Sequence, residues 1–240
     1  MNDKVYEYKG RAKITEQIFN NTKSNHLIKD YNFIIIANKY FRNLKTQGSP
    51  LLIKQFGDSM LSLFIDVINS ICENPTIIVV AGCDAVKIMR NKRISECVFI
   101  ENQLGELTNS GQDLKIGIFA SNPKNTILLD SHLLPSYNLI KSLIFDKTTS
   151  SLMYYVNDTH DTIGCEINSD GIITNYAFKS NNKLLGATFL IKKDVERLRR
   201  KITGSTFSKS KFDFELFDDI KITAIENTSV SYRMDHDKDK

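Results

Sequence analysis

Asn32–Leu61, NFIIIANKYFRNLKTQGSPLLIKQFGDSML, decides how the rest of the chain is read. It opens with Phe33–Ala37, a continuous apolar run closed by polar residues. Such a run reads as a strand buried on both faces of a parallel sheet. A polar loop follows, carrying Lys39, Arg42 and Lys45, and then Ser49-Pro50 and a second apolar patch. Ser59 is a good N-cap residue, so a helix is predicted to begin there. Strand, basic loop, helix is the layout that binds phosphates in open α/β sheets. Backbone N–H groups at a helix N-terminus meet the anion at the carboxyl ends of the strands.

The segments downstream repeat this alternation. Residues 59–72 carry apolar side chains at Met60, Leu61, Leu63, Phe64, Ile65, Val67, Ile68 and Ile71, one apolar helix face that Glu73-Asn74-Pro75 ends. Thr76–Ala81 reads as a second buried strand closed by Gly82, 84–93 as a short helix, and 96–100 as a third strand. Residues 125–130 form a fourth strand that ends in an acid, Asp130, and a helix is expected to about Phe145. Spacing of this kind predicts parallel βαβ units. Beyond it the runs SLMYYVN, TIGCEIN, GIITNYAF and LGATFLI are short and rich in β-branched and aromatic residues, with Ser169-Asp170-Gly171 as a hairpin signal. Helices over 194–202 and 208–220 and a strand in KITAIENTSVSYRM complete the reading. The expected fold class is α/β: a Rossmann-like, mostly parallel central sheet with helices on both faces and a mixed, β-rich second half over 31–240. Residues 1–30, with Ile18, Phe19, Leu27 and Ile28 at helical spacing, precede it as an arm. That arm would pack on the domain, mediate homo-oligomerisation or contact a protein partner.

Composition bounds the function classes. At 240 residues, 41% hydrophobic and 25% charged, the chain suits one large domain with a substantial core. The net charge of +4 is mild and spread out. The one basic cluster, residues 197–201 (RLRRK), reads as a solvated helix C-terminus that complements the helix dipole, so a nucleic-acid partner is not expected. Cys72, Cys83, Cys97 and Cys165 lack CxxC spacing and read as reduced thiols of a cytoplasmic protein. Neither a secretory signal pattern nor an apolar run near the ~18 residues of a membrane span is visible.

Several motifs, in this order, resemble the sugar-phosphate nucleotidylyltransferases, a GT-A-like family. IIIANKYFR resembles their first strand and signature loop, LAAGxGxR, which a Pro-Lys pair follows: Ala37, Asn38, Tyr40 and Arg42 fall on Ala, Gly, Gly and Arg, and Pro50-Leu51 on Pro-Lys. TIIVVAGCDAVKI is similar to the second unit, whose strand ends in a glycine, here Gly82. Asn102, Thr108 and Asn109 match a base-reading loop, and Asp130 falls where a metal-binding Asp follows a strand. Glu166 and Lys179, with Gly186-Ala187-Thr188-Phe189, fall at the spacing of the acceptor-lining segment. Met234-Asp235 with Asp239 resembles the last signature, E-I-D-T-x-x-D, which holds a second metal-binding Asp.

The resemblance implies transfer of a nucleoside monophosphate from a nucleoside triphosphate to a sugar phosphate or similar acceptor. It implies Mg²⁺ on Asp130 and Asp235, Arg42 on the triphosphate, and a nucleotide site of Ala37, Asn38, Lys39, Gly82, Asn102, Thr108 and Asn109. Glu166 and Lys179 would meet the acceptor. Plainer readings stand beside these roles: Asn102 and Asn109 as turn residues, Asp130 as a helix N-cap or turn residue, Lys179 as an exposed strand lysine, and Asp235 as part of a solvated tail. His132 reads as exposed or hydrogen-bonded, since Mg²⁺ prefers oxygen ligands. The departures are Asn38 and Tyr40 for the glycines that let a backbone approach phosphate, and Leu51 for a phosphate-binding lysine that Lys54 could replace. They keep open a degenerate member used as a structural or partner-binding subunit. A glycosyltransferase of the same sheet type would carry Asp-x-Asp where this chain has Asp130-Ser131-His132.

Overall fold

The run at 32–37 forms the centre of a nine-stranded sheet because neither of its faces has anything to offer water: Phe33, Ile34, Ile35 and Ala37 are all fully buried. The computed structural model describes residues 27–37, 48–55, 57–82, 84–104, 110–133, 135–157, 163–204 and 216–227. In chain order the elements are β1 Ile28–Lys29, β2 Asn32–Ala37, β3 Lys54–Gln55, β4 Asp58–Ser59, α1 Met60–Ile71, β5 Cys72–Glu73, β6 Thr76–Ala81, α2 Ala85–Met89, β7 Val98–Glu101, α3 Ser110–Ala120, β8 Thr126–Asp130, α4 Tyr137–Leu143, β9 Ser150–Val156, β10 Gly164–Ile167, β11 Ile173–Ala177, β12 Asn182–Leu190, α5 Lys192–Gly204 and β13 Ile222–Glu226.

The sheet order is β11-β10-β12-β8-β2-β6-β7, with β9 pairing to β12 and β13. β2 runs parallel to β6 and β8, and β6 to β7. β12 is antiparallel to β8 and β9, which makes the second half mixed as expected. Alternate residues of the strands face two cores. Phe33, Ile35, Val79 and Leu129 pack with the apolar residues of α1 and α4. Ile34, Ile78, Val80 and Leu128 pack with Leu114 and Ile118 of α3 and Val195 and Leu198 of α5. Helices thus cover both faces. α3 lies so close that a Cβ at Gly117 would stand 2.5 Å from Ile34 Cγ2.

The chain steps from β2 outward to β6 and β7, then returns to β8 on the other side of β2. The carboxyl ends of β2 and β8 therefore flank the topological switch point, where open α/β sheets bind ligands.

Local chemistry explains where elements differ from expectation. α1 starts as the sequence implies, with Ser62 N donating to Ser59 Oγ at 3.2 Å. The helix expected over 84–93 is cut to Ala85–Met89, because Asp84 takes a left-handed conformation (φ 53°) and Asn91 caps a new 3₁₀ turn over Lys92–Glu96. That turn delays the third strand to Val98. The RLRRK cluster is only partly solvated: Arg199 donates to the carbonyls of Ile118 (2.8 Å), Phe119 (3.0 Å) and Ser121 at the end of α3, and so ties α5 to its neighbour. Of the arm, 1–26 lie outside the described residues. Ile28–Lys29 pair with Cys72–Glu73, and Tyr31 stacks on Phe189 with ring centroids 6.0 Å apart. Cys83 and 208–215 also lie outside them. Cys72, Cys97 and Cys165 are free thiols, and burial pushes that of Cys165 up to about 12. No described helix is long and apolar enough to cross a membrane.

Candidate active site at the carboxyl ends of β2 and β8

β8 ends on Asp130, paired in register with Ile36 of β2. The chain then turns: Ser131 N donates to Ile36 O at 3.0 Å, and His132 N donates to Asp130 Oδ1 at 3.0 Å. The His132 ring folds back, with Nδ1 2.9 Å from the same oxygen. The His132 side chain is 6% exposed and that of Asp130 is 23% exposed, so the ring is sheltered while the carboxylate reaches the surface. Asp130 thus does take a turn role, as its plainer reading held, but through one oxygen. The N-cap of the following helix is Ser136.

The other neighbour of Asp130 is Gly186 on β12. Its φ is +93°, and a Cβ there would stand 2.7 Å from Asp130 Cβ. The pairing of β12 with β9 shifts between Leu184 and Thr188, a bulge at which glycine supplies the positive φ. Asp130 is therefore braced by its own turn and by a strand that approaches too closely for any side chain.

On the β6 side, Ala37 and Ala81 are paired and both fully buried, so their methyl groups belong to the core. Gly82 follows at the rim. Ser49 N donates to Asp84 Oδ2 at 2.9 Å, and Lys87 pairs with Asp84 Oδ1 at 2.7 Å. Asp84 therefore ties Ser49, just ahead of the turn at Pro50, to the start of α2, a role its sequence did not suggest. Leu51, where the resembled family has lysine, is fully buried, and Lys54 is exposed on β3. Asn102 is buried. Its backbone N donates to Ala81 O at 2.8 Å, its Nδ2 to Asp113 Oδ1 at 2.7 Å, and its Oδ1 accepts from Leu104 N at 3.1 Å. These bonds join the end of β7 to α3, the organising work of a turn residue. Asn38, Lys39, Tyr40, Arg42, Thr108, Asn109 and Asp235 lie outside the described residues.

Glu166 is exposed on β10, its Oε2 accepting from Asn175 Nδ2 at 3.3 Å. Lys179 is exposed in the turn between β11 and β12. That turn is anchored on both sides of the lysine: Lys183 Nζ donates to Phe178 O at 2.9 Å, and Ser180 Oγ donates to Cys165 O at 2.6 Å. Lys183 is fully buried. The hairpin with Glu166 and Lys179 thus leads into the strand that braces Asp130. The sequence signal for Lys183, which the sequence reading missed, was a lone charge in the apolar run NKLLGATFL; His132, read as exposed or hydrogen-bonded, is hydrogen-bonded.

No family model and no curated protein matches the sequence. Solved structures do match. CTP:phosphocholine cytidylyltransferase from Streptococcus pneumoniae superposes with a TM-score of 0.68 at 14% identity, over 86% of this chain and 94% of that one. The chain has the nucleotidylyltransferase fold. An inositol-1-phosphate CTP transferase from T. maritima gives a TM-score of 0.64 at 12% identity, over 85% of this chain and 89% of that one. A UDP-glucose pyrophosphorylase complexed with UDP-glucose gives 0.63 at 11%, over 86% and 94%. At such identities the likeness to these nucleotidylyltransferases is one of fold.

Proposed function

We propose that this chain is a magnesium-dependent nucleotidylyltransferase that moves a nucleoside monophosphate from a triphosphate to a sugar phosphate or a similar phosphorylated acceptor. The observation that carries the reading is Asp130, a partly exposed carboxylate at the switch point of a nucleotidylyltransferase fold. Among the described residues, no three His, Cys, Asp or Glu side chains cluster to hold a metal. Mg²⁺ takes one or two carboxylates and completes its shell with water and substrate phosphates. Asp130 would supply one ligand and Asp235 another. The bound cation would neutralise charge on the α-phosphate.

The rest of the chemistry is positioning. An oxygen of the acceptor phosphate attacks the α-phosphorus, the bond to the bridging oxygen breaks, and pyrophosphate leaves. The acceptor phosphate is already anionic, so no general base is needed. Arg42 and Lys39 would hold the triphosphate, with Asn38 and Gly82 beside it. Thr108 and Asn109, which follow Asn102 in the sequence, would meet the base. Lys179 would hold the acceptor phosphate, and Glu166 the acceptor's polar groups. The test is pyrophosphate release from each ribonucleoside triphosphate with glucose 1-phosphate, phosphocholine and inositol 1-phosphate. Release with one pair, lost in Asp130→Asn, supports the reading, and release with none contradicts it. A second reading, a catalytically degenerate subunit, is favoured by Leu51, whose burial in the core leaves the family's lysine position without a cation.

A further inference from the structure

We infer that His132 is a positioning residue for Asp130, fixing the orientation in which the carboxylate meets a divalent cation. The inference rests on the reading of Asp130 as a cation ligand. The last torsion of an Asp side chain is soft and roughly two-fold. A backbone donor alone, His132 N at 3.0 Å, leaves the carboxylate able to swing about that torsion. The imidazole removes the freedom, because its Nδ1 lies 2.9 Å from the same Oδ1. A carboxylate can only accept, so Nδ1 carries the hydrogen. The ring can hold this direction because it is itself buried and follows a turn pinned to β2 through Ser131 N and Ile36 O. On the β12 side, the backbone at Gly186 comes so close that a Cβ there would stand 2.7 Å from Asp130 Cβ. Mg²⁺ demands near-ideal octahedral geometry and so benefits from a ligand aimed in advance. Where an Asp-x-Asp motif would place a second carboxylate, this chain places a group that serves the first one.

Outer partners that orient metal ligands typically account for about 10- to 100-fold of metal affinity. Mn²⁺ alone, titrated against the whole chain and followed by electron paramagnetic resonance, is the probe. His132→Ala keeps the backbone donor and loses the ring, and is expected to weaken Mn²⁺ binding about tenfold. His132→Asn, whose amide can donate from nearly the same place, should recover most of that loss. His132→Leu, which fills the space without a donor, should behave as His132→Ala and substitutes for it if the smaller side chain folds poorly. Wild-type affinity in the alanine and leucine variants overturns the inference. So does an asparagine variant as weak as they are. If the wild type binds no Mn²⁺ either alone or with any ribonucleoside triphosphate present, or Asp130→Ala binds it as well as the wild type, the reading of Asp130 as a ligand fails and takes this inference with it.

Discussion

Asp130, at the end of β8, is held through its side chain, whereas Lys179, in the turn between β11 and β12, is placed by its neighbours, the Phe178 carbonyl and the Ser180 hydroxyl. The carboxylate has two donors on one oxygen, and β12 approaches it at a glycine where no Cβ would fit. The lysine is exposed, and Lys183 and Ser180 fix the turn around it. The difference fits the roles proposed for the two charges. A group that orients a cation at the reacting phosphate gains from being fixed before the substrate arrives. A group that meets an acceptor phosphate can adapt, provided its turn stays in place.

The largest effect should come from glycine substitutions that separate the two regions. Gly186→Ala meets both a positive φ and Asp130 Cβ at 2.7 Å. A loss of about 3 kcal/mol in urea unfolding is expected. Gly171→Ala, in the hairpin turn, has φ +74° but nothing within 4 Å of the added Cβ, and should lose about 1 kcal/mol. Equal losses would mean that the approach of β12 to Asp130 is not tight.

Next in size is Lys183→Met. It removes the donor to Phe178 O and should cost about 2 kcal/mol, with faster amide exchange confined to the turn around Lys179. A uniform rise in exchange across β12 would show instead that Lys183 supports the strand and not the turn. Lys179→Ala and Glu166→Gln should sharpen the contrast from the other side. Both residues are exposed, so stability should change by less than about 0.5 kcal/mol, while the acceptor KM rises and triphosphate binding is kept.

The smallest effect concerns Cys165, whose carbonyl anchors Ser180 and whose buried thiol is pushed up to about 12. The unfolded chain releases this proton near pH 8.5, so above that pH it binds fewer protons than the folded chain. Stability from this group is whole below that pH and declines as pH rises toward 12. Cys165→Ala should flatten that alkaline limb of a urea-midpoint profile.

Much of the sheet was legible because its strands declare themselves locally. The sequence reading of Thr76–Ala81 matches β6 residue for residue, since the run is closed by Pro75 before it and Gly82 after it. The fourth strand and its terminal acid were legible for the same reason. Asp84 and Asn91 were not: Asp84 takes a left-handed backbone and bonds to Ser49 from a distant part of the chain, and Asn91 caps a 3₁₀ turn where the apolar spacing would continue the helix. For Asn102 the sequence did not show the partner Asp113, which the return of α3 brings close. The partners of His132 and Lys183, Asp130 and the Phe178 carbonyl, are supplied by turns, so residue type alone did not name them.

The most direct test of the account is thermal unfolding with each ribonucleoside triphosphate, with and without Mg²⁺. A ligand at 100 times its dissociation constant stabilises by about 2.7 kcal/mol, a readily measured shift. The account predicts a magnesium-dependent shift with one triphosphate that Asp130→Ala abolishes. No shift with any triphosphate at millimolar concentration, or a shift that Asp130→Ala leaves intact, would contradict it.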